Sequence, residues 1–158
     1  MLSTYVDVPR LGFIGIEKIL ISLTSNDYEP DVCFFSTEKA QHFAEDQMKF
    51  PAPDLVVEVL SASTEARDRG VKFSDYEAHG VMEYWIIDPE RETIEQYLLA
   101  NGSYELRLKA GDGSLRSQAV PGFTISVRAV FNQALNLAEI RKIITEPPPG
   151  SSSFPQIR

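Results

Sequence analysis

The sequence predicts an α+β domain, close to α/β, with a mixed central sheet flanked by helices and a C-terminal hairpin or meander. Three observations carry this: short apolar runs with strand-like alternation, one helix-like segment set between two of them, and an Asn101-Gly102 pair flanked by two more such runs. At 158 residues the chain can enclose one hydrophobic core without covalent staples. Its 43% apolar and 24% charged residues are those of an ordinary soluble globular protein. We expect a single domain over 1–144, followed by a disordered Pro/Ser-rich tail over 145–158 that contains Pro147-Pro148-Pro149 and Ser151 to Ser153.

The elements follow in order. Gly15 to Leu23 alternates Ile16, Lys18 and Leu20 with Ile19, Ile21 and Leu23, and reads as one strand. Asn26 and Asp27 mark a turn, and Asp31 to Phe35 forms a second strand entered through Pro30. Ser36 to Met48 is a polar loop or short helix. In the third strand Leu55, Val57 and Val59 face one side while Val56, Glu58 and Leu60 face the other, because strand side chains alternate. Ser63 to His79 opens on Ser/Thr, carries charge in its first turn and stops at Gly80, which predicts a helix weakened in its first half by Gly70.

Met82 to Asp88 is a further core strand closed by Pro89. Thr93 to Leu99 and Tyr104 to Leu108 flank Asn101-Gly102, the strongest short hairpin signal. Gly111 to Gly113 turns the chain, Phe123 to Val127 is a strand, and Asn132 to Ile144 is a terminal helix offering Leu135, Leu137 and Ile140 for packing.

Several function classes are excluded or disfavoured. The longest apolar stretch, Asp54 to Leu60, is far too short for the roughly 20 residues that span a bilayer. A single cysteine, Cys33, sits among Val32, Phe34 and Phe35 and predicts a buried thiol in a reducing cytoplasm. Phosphate-cradling Gly-rich loops, Cys/His zinc spacings and a G-x-S-x-G elbow are missing from the sequence. The net charge of −8 opposes broad attraction to nucleic acid, although divalent ions can offset acids gathered in a site.

The chemistry rests on Glu58, a carboxylate in an apolar strand, which is costly unless a cation or donors compensate it. Asp31 opens another strand, so adjacent strands would bring the two carboxylates to one hard cation, Mg²⁺ or Mn²⁺. Lys72, fourteen positions after Glu58 on the following helix, could reach the same site and assist an attacking water or stabilise charge on a phosphorane. Asp68, Lys72 and Tyr76 recur at i, i+4 spacing, so Asp68 and Tyr76 would hold Lys72 in place. Each also has an ordinary reading: a strand-edge aspartate, a structural ion pair and a helical Lys–Asp pair.

Taken together, Tyr28-Glu29-Pro30-Asp31-Val32, Pro53 to Ser61, Lys72, Tyr76, Gly80-Val81 and Glu83 to Pro89 resemble the Uma-two family of endonucleases, assigned to the PD-(D/E)xK nuclease superfamily. The likeness runs from about Gly15 to Phe131. It implies a restriction-endonuclease-like fold, with Asp31 as the motif aspartate, Glu58 as the strand glutamate, and Asp54 as a supporting residue. The superfamily's simplest pattern puts the lysine two residues after the acid, where this chain has Leu60; in the family the next helix supplies it, and Lys72 matches. Similar proteins carry a further N-terminal segment and helix, of which Met1 to Leu11 would be the last turn.

The expected function is metal-dependent hydrolysis of phosphodiester bonds in DNA, with Asp31, Glu58 and Lys72 catalytic and Asp31 and Glu58 holding the metal. The competing reading, motivated by the short N-terminus and the acidic charge, is a catalytically silent nuclease-fold binding or assembly module. A homodimer is expected, because two-fold symmetry matches two antiparallel DNA strands and the Thr93 to Leu108 hairpin carries more apolar side chains than a ribbon can hide. The alternative is that the hairpin extends the central sheet.

Overall fold

The computed structural model describes residues 1–7 and 10–146. In chain order these form α1 (Leu2–Asp7), β1 (Gly12–Ile16), β2 (Leu20–Ser22), β3 (Asp27–Tyr28), β4 (Val32–Ser36), α2 (Thr37–Ala40), β5 (Lys49–Phe50) and β6 (Leu55–Val59). A helical segment follows as α3 (Glu65–Arg67), a π-helical turn (Asp68–Lys72) and α4 (Phe73–Ala78). Then come β7 (Glu83–Asp88), β8 (Thr93–Ala100), β9 (Ser103–Ala110), β10 (Ser114–Arg116), β11 (Thr124–Ser126), α5 (Arg128–Phe131) and α6 (Gln133–Thr145). Residues 147–158 of the expected tail lie outside the described residues, and Thr145 still belongs to α6.

The central sheet has the order β1-β4-β6-β7-β8-β9, antiparallel throughout except for β6 and β7, which run parallel. A parallel pair needs a crossover, and the helical segment from Glu65 to Ala78 supplies it. Alternation in β6 then sorts the side chains by face. Leu55 and Val57 join Phe34, Trp85 and Ile94 in a cluster covered by Tyr5 and Val6 of α1, Ile143 of α6 and the small β10–β11 sheet. Val56 and Leu60 join Tyr84, Ile86 and Tyr76 of α4 on the opposite face. Glu58 shares this second face, beneath the crossover helix.

The predicted helix from Ser63 to His79 is present as the segment Glu65–Ala78, ended by Gly80 at φ 73°, a left-handed position that glycine fills without strain. Its weak point is where Gly70 placed it: the backbone widens into a π-helical turn around that residue. Asn101 and Gly102, at φ 53° and 83°, make the two successive left-handed residues of a tight hairpin turn between β8 and β9.

Three expectations are corrected. Gly15 to Leu23 is not one strand: Glu17 and Lys18 turn left-handed, at φ 47° and 53°, and direct β2 into a separate sheet of order β3-β2-β5. The alternation of apolar residues is the same for one strand or two, and no Gly, Pro or Asn advertises the break. In α6, Leu135 and Leu137 are exposed at 45% and 49%, and Ile143 is the buried residue instead. The hairpin extends the central sheet rather than standing free: Ile94 and Leu98 are buried, Leu108 packs on the first cluster, and Tyr97 and Tyr104 pack on the second. Of its apolar residues Leu106 stays largely exposed, so little surplus surface remains to call for a partner.

One buried carboxylate organises the face away from the crossover helix. Glu83, with no measurable exposure, accepts hydrogen bonds from Trp85 Nε1 (2.6 Å), Gln96 Nε2 (2.6 Å), Ser117 Oγ (2.7 Å), and the N–H groups of Gln118 (2.9 Å) and Ala119 (2.7 Å). These donors belong to β7, β8 and the loop after β10. The carboxylate thereby fastens that loop to the sheet.

Candidate active site

Register brings Asp31 and Glu58 together. Val32 pairs with Val57 across antiparallel β4 and β6, so the next position along sets Asp31 opposite Glu58. Directly opposed residues share a face with Cβ atoms about 4.5–5.5 Å apart. Asp31 Oδ2 accepts the N–H of Val59 at 2.7 Å, which fixes its carboxylate at the end of β6. Both residues line an open cleft of about 750 Å³, together with Asp27, Glu29, Arg67, Asp68 and Lys72 among others.

The π-helical turn lays its charged side chains on the sheet. Lys72 Nζ lies 2.9 Å from Glu58 Oε2 and 2.8 Å from Asp68 Oδ1, and Tyr76 Oη donates to Glu58 Oε1 at 3.3 Å. Glu58, Asp68, Lys72 and Tyr76 are all buried. Asp68 Oδ1 contacts the ammonium without a well-directed hydrogen bond to any described partner. Burial pushes the Glu58 carboxyl up to about 7; Lys72 pulls it back, and the charges of Asp68 and Asp31 add to the rise. For Lys72 burial works toward a lower value, but the ion pairs with Asp68 and Glu58 outweigh it and leave the ammonium above its ordinary value. Lys72 is therefore a fixed positive charge at neutral pH.

A second group steadies this turn, and sequence reading missed it. Glu58 pairs with Ile86, Ile86 with Glu95 and Glu95 with Lys109, a row across β6 to β9 under the helix. Arg69 reaches down from the π-helical turn to Glu95 through Nη1 (2.8 Å) and Nη2 (3.1 Å), while Tyr97 Oη (2.6 Å) and Lys109 Nζ (3.0 Å) complete the carboxylate's partners. Burial works against charge on Glu95, but hydrogen bonds from Arg69, Tyr97 and Lys109 outweigh it and hold the carboxyl down at about 2. Arg69 and Lys72 are thus anchored two strands apart on one sheet row. The signal available in the sequence was Glu95 set between Ile94 and Gln96, which reads equally well as a solvated hairpin charge.

The structure does not bring Asp54 to the cleft. It precedes β6, and four residues of strand, at about 3.3 Å each, carry it to the far end from Glu58. There its Oδ1 pairs with Lys39 at 2.8 Å and its Oδ2 accepts the N–H of Ser36 at 2.7 Å, tying β4 and α2 to the start of β6. Cys33 is buried, and burial pushes its thiol up to about 12, so it is chemically quiet.

The donor set fits a hard divalent cation. Asp31 and Glu58 offer carboxylate oxygens on one cleft wall, and Asp31 Oδ1 has no hydrogen-bond partner among the described residues. No group of three or more His, Cys, Asp or Glu side chains suited to a metal occurs among the described residues.

A mixed sheet with one parallel pair, a crossover helix over it and a carboxylate–lysine cleft at the strand ends make this a mixed α/β domain. The structure superimposes on a crystal structure described as a putative nuclease belonging to DUF820 from Anabaena variabilis ATCC 29413, with a TM-score of 0.67 and 18% identity over 82% of this chain and 74% of that one. At that identity the likeness speaks for the fold. The sequence profile of the Uma2 family, described as "Putative restriction endonuclease", matches residues 1–128. The chain belongs to the Uma2 family. No curated protein matches it. Among the described residues no helix is long and apolar enough to cross a membrane.

Proposed function

We propose that this protein is a metal-dependent endonuclease that hydrolyses phosphodiester bonds in DNA, with Asp31, Glu58 and Lys72 as its catalytic residues. The observation that supports this most is the buried Lys72 ammonium between Glu58 and Asp68, on a cleft wall shared with Asp31. Bound Mg²⁺ or Mn²⁺ would polarise the scissile phosphate and lower the pKa of a coordinated water. Asp31 and Glu58 would supply the oxygens that hold the ion. The Lys72 ammonium orients the attacking water and stabilises the negative charge that builds on the phosphoryl oxygens. Asp68 and Tyr76 keep Lys72 and Glu58 in register, and Arg69 on Glu95 fixes the turn that carries them.

A second reading has its own supporting observation. Both Glu58 oxygens are already engaged, by Lys72 and Tyr76, as they would be in a silent module that keeps the ion pair for structure. Calorimetry with MgCl₂ and MnCl₂ separates the two. A metal bound by Glu58 must displace its proton, so with the carboxyl near 7 affinity should climb by close to tenfold per pH unit at about pH 6 and level off above about pH 8. Heat absent at millimolar metal and at every pH would favour the silent module.

The cytoplasmic setting, supported by the free buried Cys33, and the homodimer belong to the same proposal. Two-fold symmetry is its remaining ground, since the hairpin is absorbed into the sheet. A sedimentation mass near 17.7 kDa would remove the dimer and leave the site intact.

A further inference from the structure

We infer that Arg67 grips a substrate phosphate at the mouth of the cleft, an inference that rests on the nuclease reading above. The cleft is acidic: Asp27, Glu29, Asp31, Glu58 and Asp68 line it against two cations, Arg67 and Lys72. A polyanion entering it needs positive charge that is not already spent. Lys72 is buried and shared between Glu58 and Asp68, and the nearby Lys49 is paired with Asp27 at 2.8 Å. Arg69 and Arg91 are likewise paired, with Glu65 and Glu95 and with Asp88. Arg67 is exposed and forms no ion pair with a described carboxylate.

Its position is nevertheless defined. The guanidinium carbon sits 5.6 Å from the ring centroid of Tyr28, a buried ring whose hydroxyl is held by Asp75. An aromatic face fixes an arginine without neutralising it. Arg67 also directly precedes Asp68, so the Arg69–Glu95 contact that sets the π-helical turn sets the base of Arg67 as well. A planar guanidinium presents donors in a fork that matches two phosphate oxygens, which a lysine does not. Arg67 lines the same cleft as Asp31, Glu58 and Lys72, and in this inference its partner is a phosphate beside the scissile one.

The test compares wild type, Arg67→Ala and Arg67→Lys for Mg²⁺-dependent cleavage of a linear DNA duplex across a series of NaCl concentrations. Arg67→Ala should raise KM about tenfold with kcat within about threefold of wild type. Its dependence of log(kcat/KM) on log[NaCl] should be shallower by about 0.9, the share of one phosphate contact. Arg67→Lys should restore the salt slope but only part of KM. Since the side chain is exposed, melting temperatures should coincide and show that all three are folded. Wild-type cleavage with an unchanged KM and salt slope in Arg67→Ala overturns the phosphate contact and leaves the nuclease reading standing. A loss confined to kcat also overturns it. A folded wild type that neither binds nor cuts DNA overturns both.

Discussion

Replacing Lys72 with Met, or Glu58 with Gln, is expected to lower metal-dependent DNA cleavage by about 10²–10³-fold in kcat. Both substitutions nearly keep side-chain volume in a buried site, and Glu58→Gln keeps an acceptor for Tyr76. Under the proposed mechanism Lys72→Met removes the charge that would face the developing phosphorane, so the loss should fall on kcat more than on KM. If Glu58 holds a divalent ion as proposed, Glu58→Gln would also deprive it of one of two carboxylates and should raise the metal concentration needed for half-maximal rate. The double variant should lose little more than the worse single one, because the residues act as a unit. Plasmid nicking by pure protein with Mg²⁺, alongside melting curves to show folding, measures this. Cleavage at the wild-type rate in both variants would sink the assignment.

The largest stability effect is expected at Glu83, remote from the chemistry. Glu83→Ala strands five donors: the Trp85 indole, the Gln96 amide, the Ser117 hydroxyl and two backbone N–H groups. A buried donor without a partner costs about 1–3 kcal/mol, and water admitted to the new cavity recovers part of that. A net loss of about 3–5 kcal/mol is expected, a large share of the roughly 5–15 kcal/mol that holds a domain together. Glu83→Gln should cost less, since it keeps one acceptor oxygen and turns an amide toward donors at the other. Urea unfolding measures both, and a loss below about 1 kcal/mol for the alanine variant would show that the five contacts do not carry that loop.

Much of this protein is legible in its sequence because alternation and turn chemistry are local. Glu58 stands out as the one charge in its strand, and the structure buries it there; Asn101-Gly102 announces the hairpin that joins β8 to β9. The Ser63 to His79 helix was also visible, together with the glycine where its backbone widens. What stayed hidden depends on pairing. The row from Glu58 to Lys109 is set by three registers, so nothing near Glu95 in the chain indicates that Arg69 will descend onto it. Glu83 was visible as part of a family motif, but its partners lie up to 36 positions away. Asp54, which the family resemblance implied as a supporting residue, lies away from the cleft because the four strand residues from it to Glu58 run to the other end of β6.

The parallel pairing of β6 with β7 bears on when the site can exist during folding. Glu58 registers with Ile86, so the chain must close a loop of about 28 residues before that pair forms. By chain statistics the closure costs about 3 kcal/mol beyond a fixed constant, more than the tight β8–β9 hairpin requires. Lys72 and Asp68 ride inside that loop, and Arg69 can reach Glu95 only once β8 has been added to β7. The hairpin, made of sequence-near contacts, is free to form early, while the cleft is assembled by the slow, long-range step. A nascent or partly unfolded chain would then carry no assembled Asp31–Glu58–Lys72 cleft, and whatever chemistry the cleft performs would be confined to molecules that have completed the sheet.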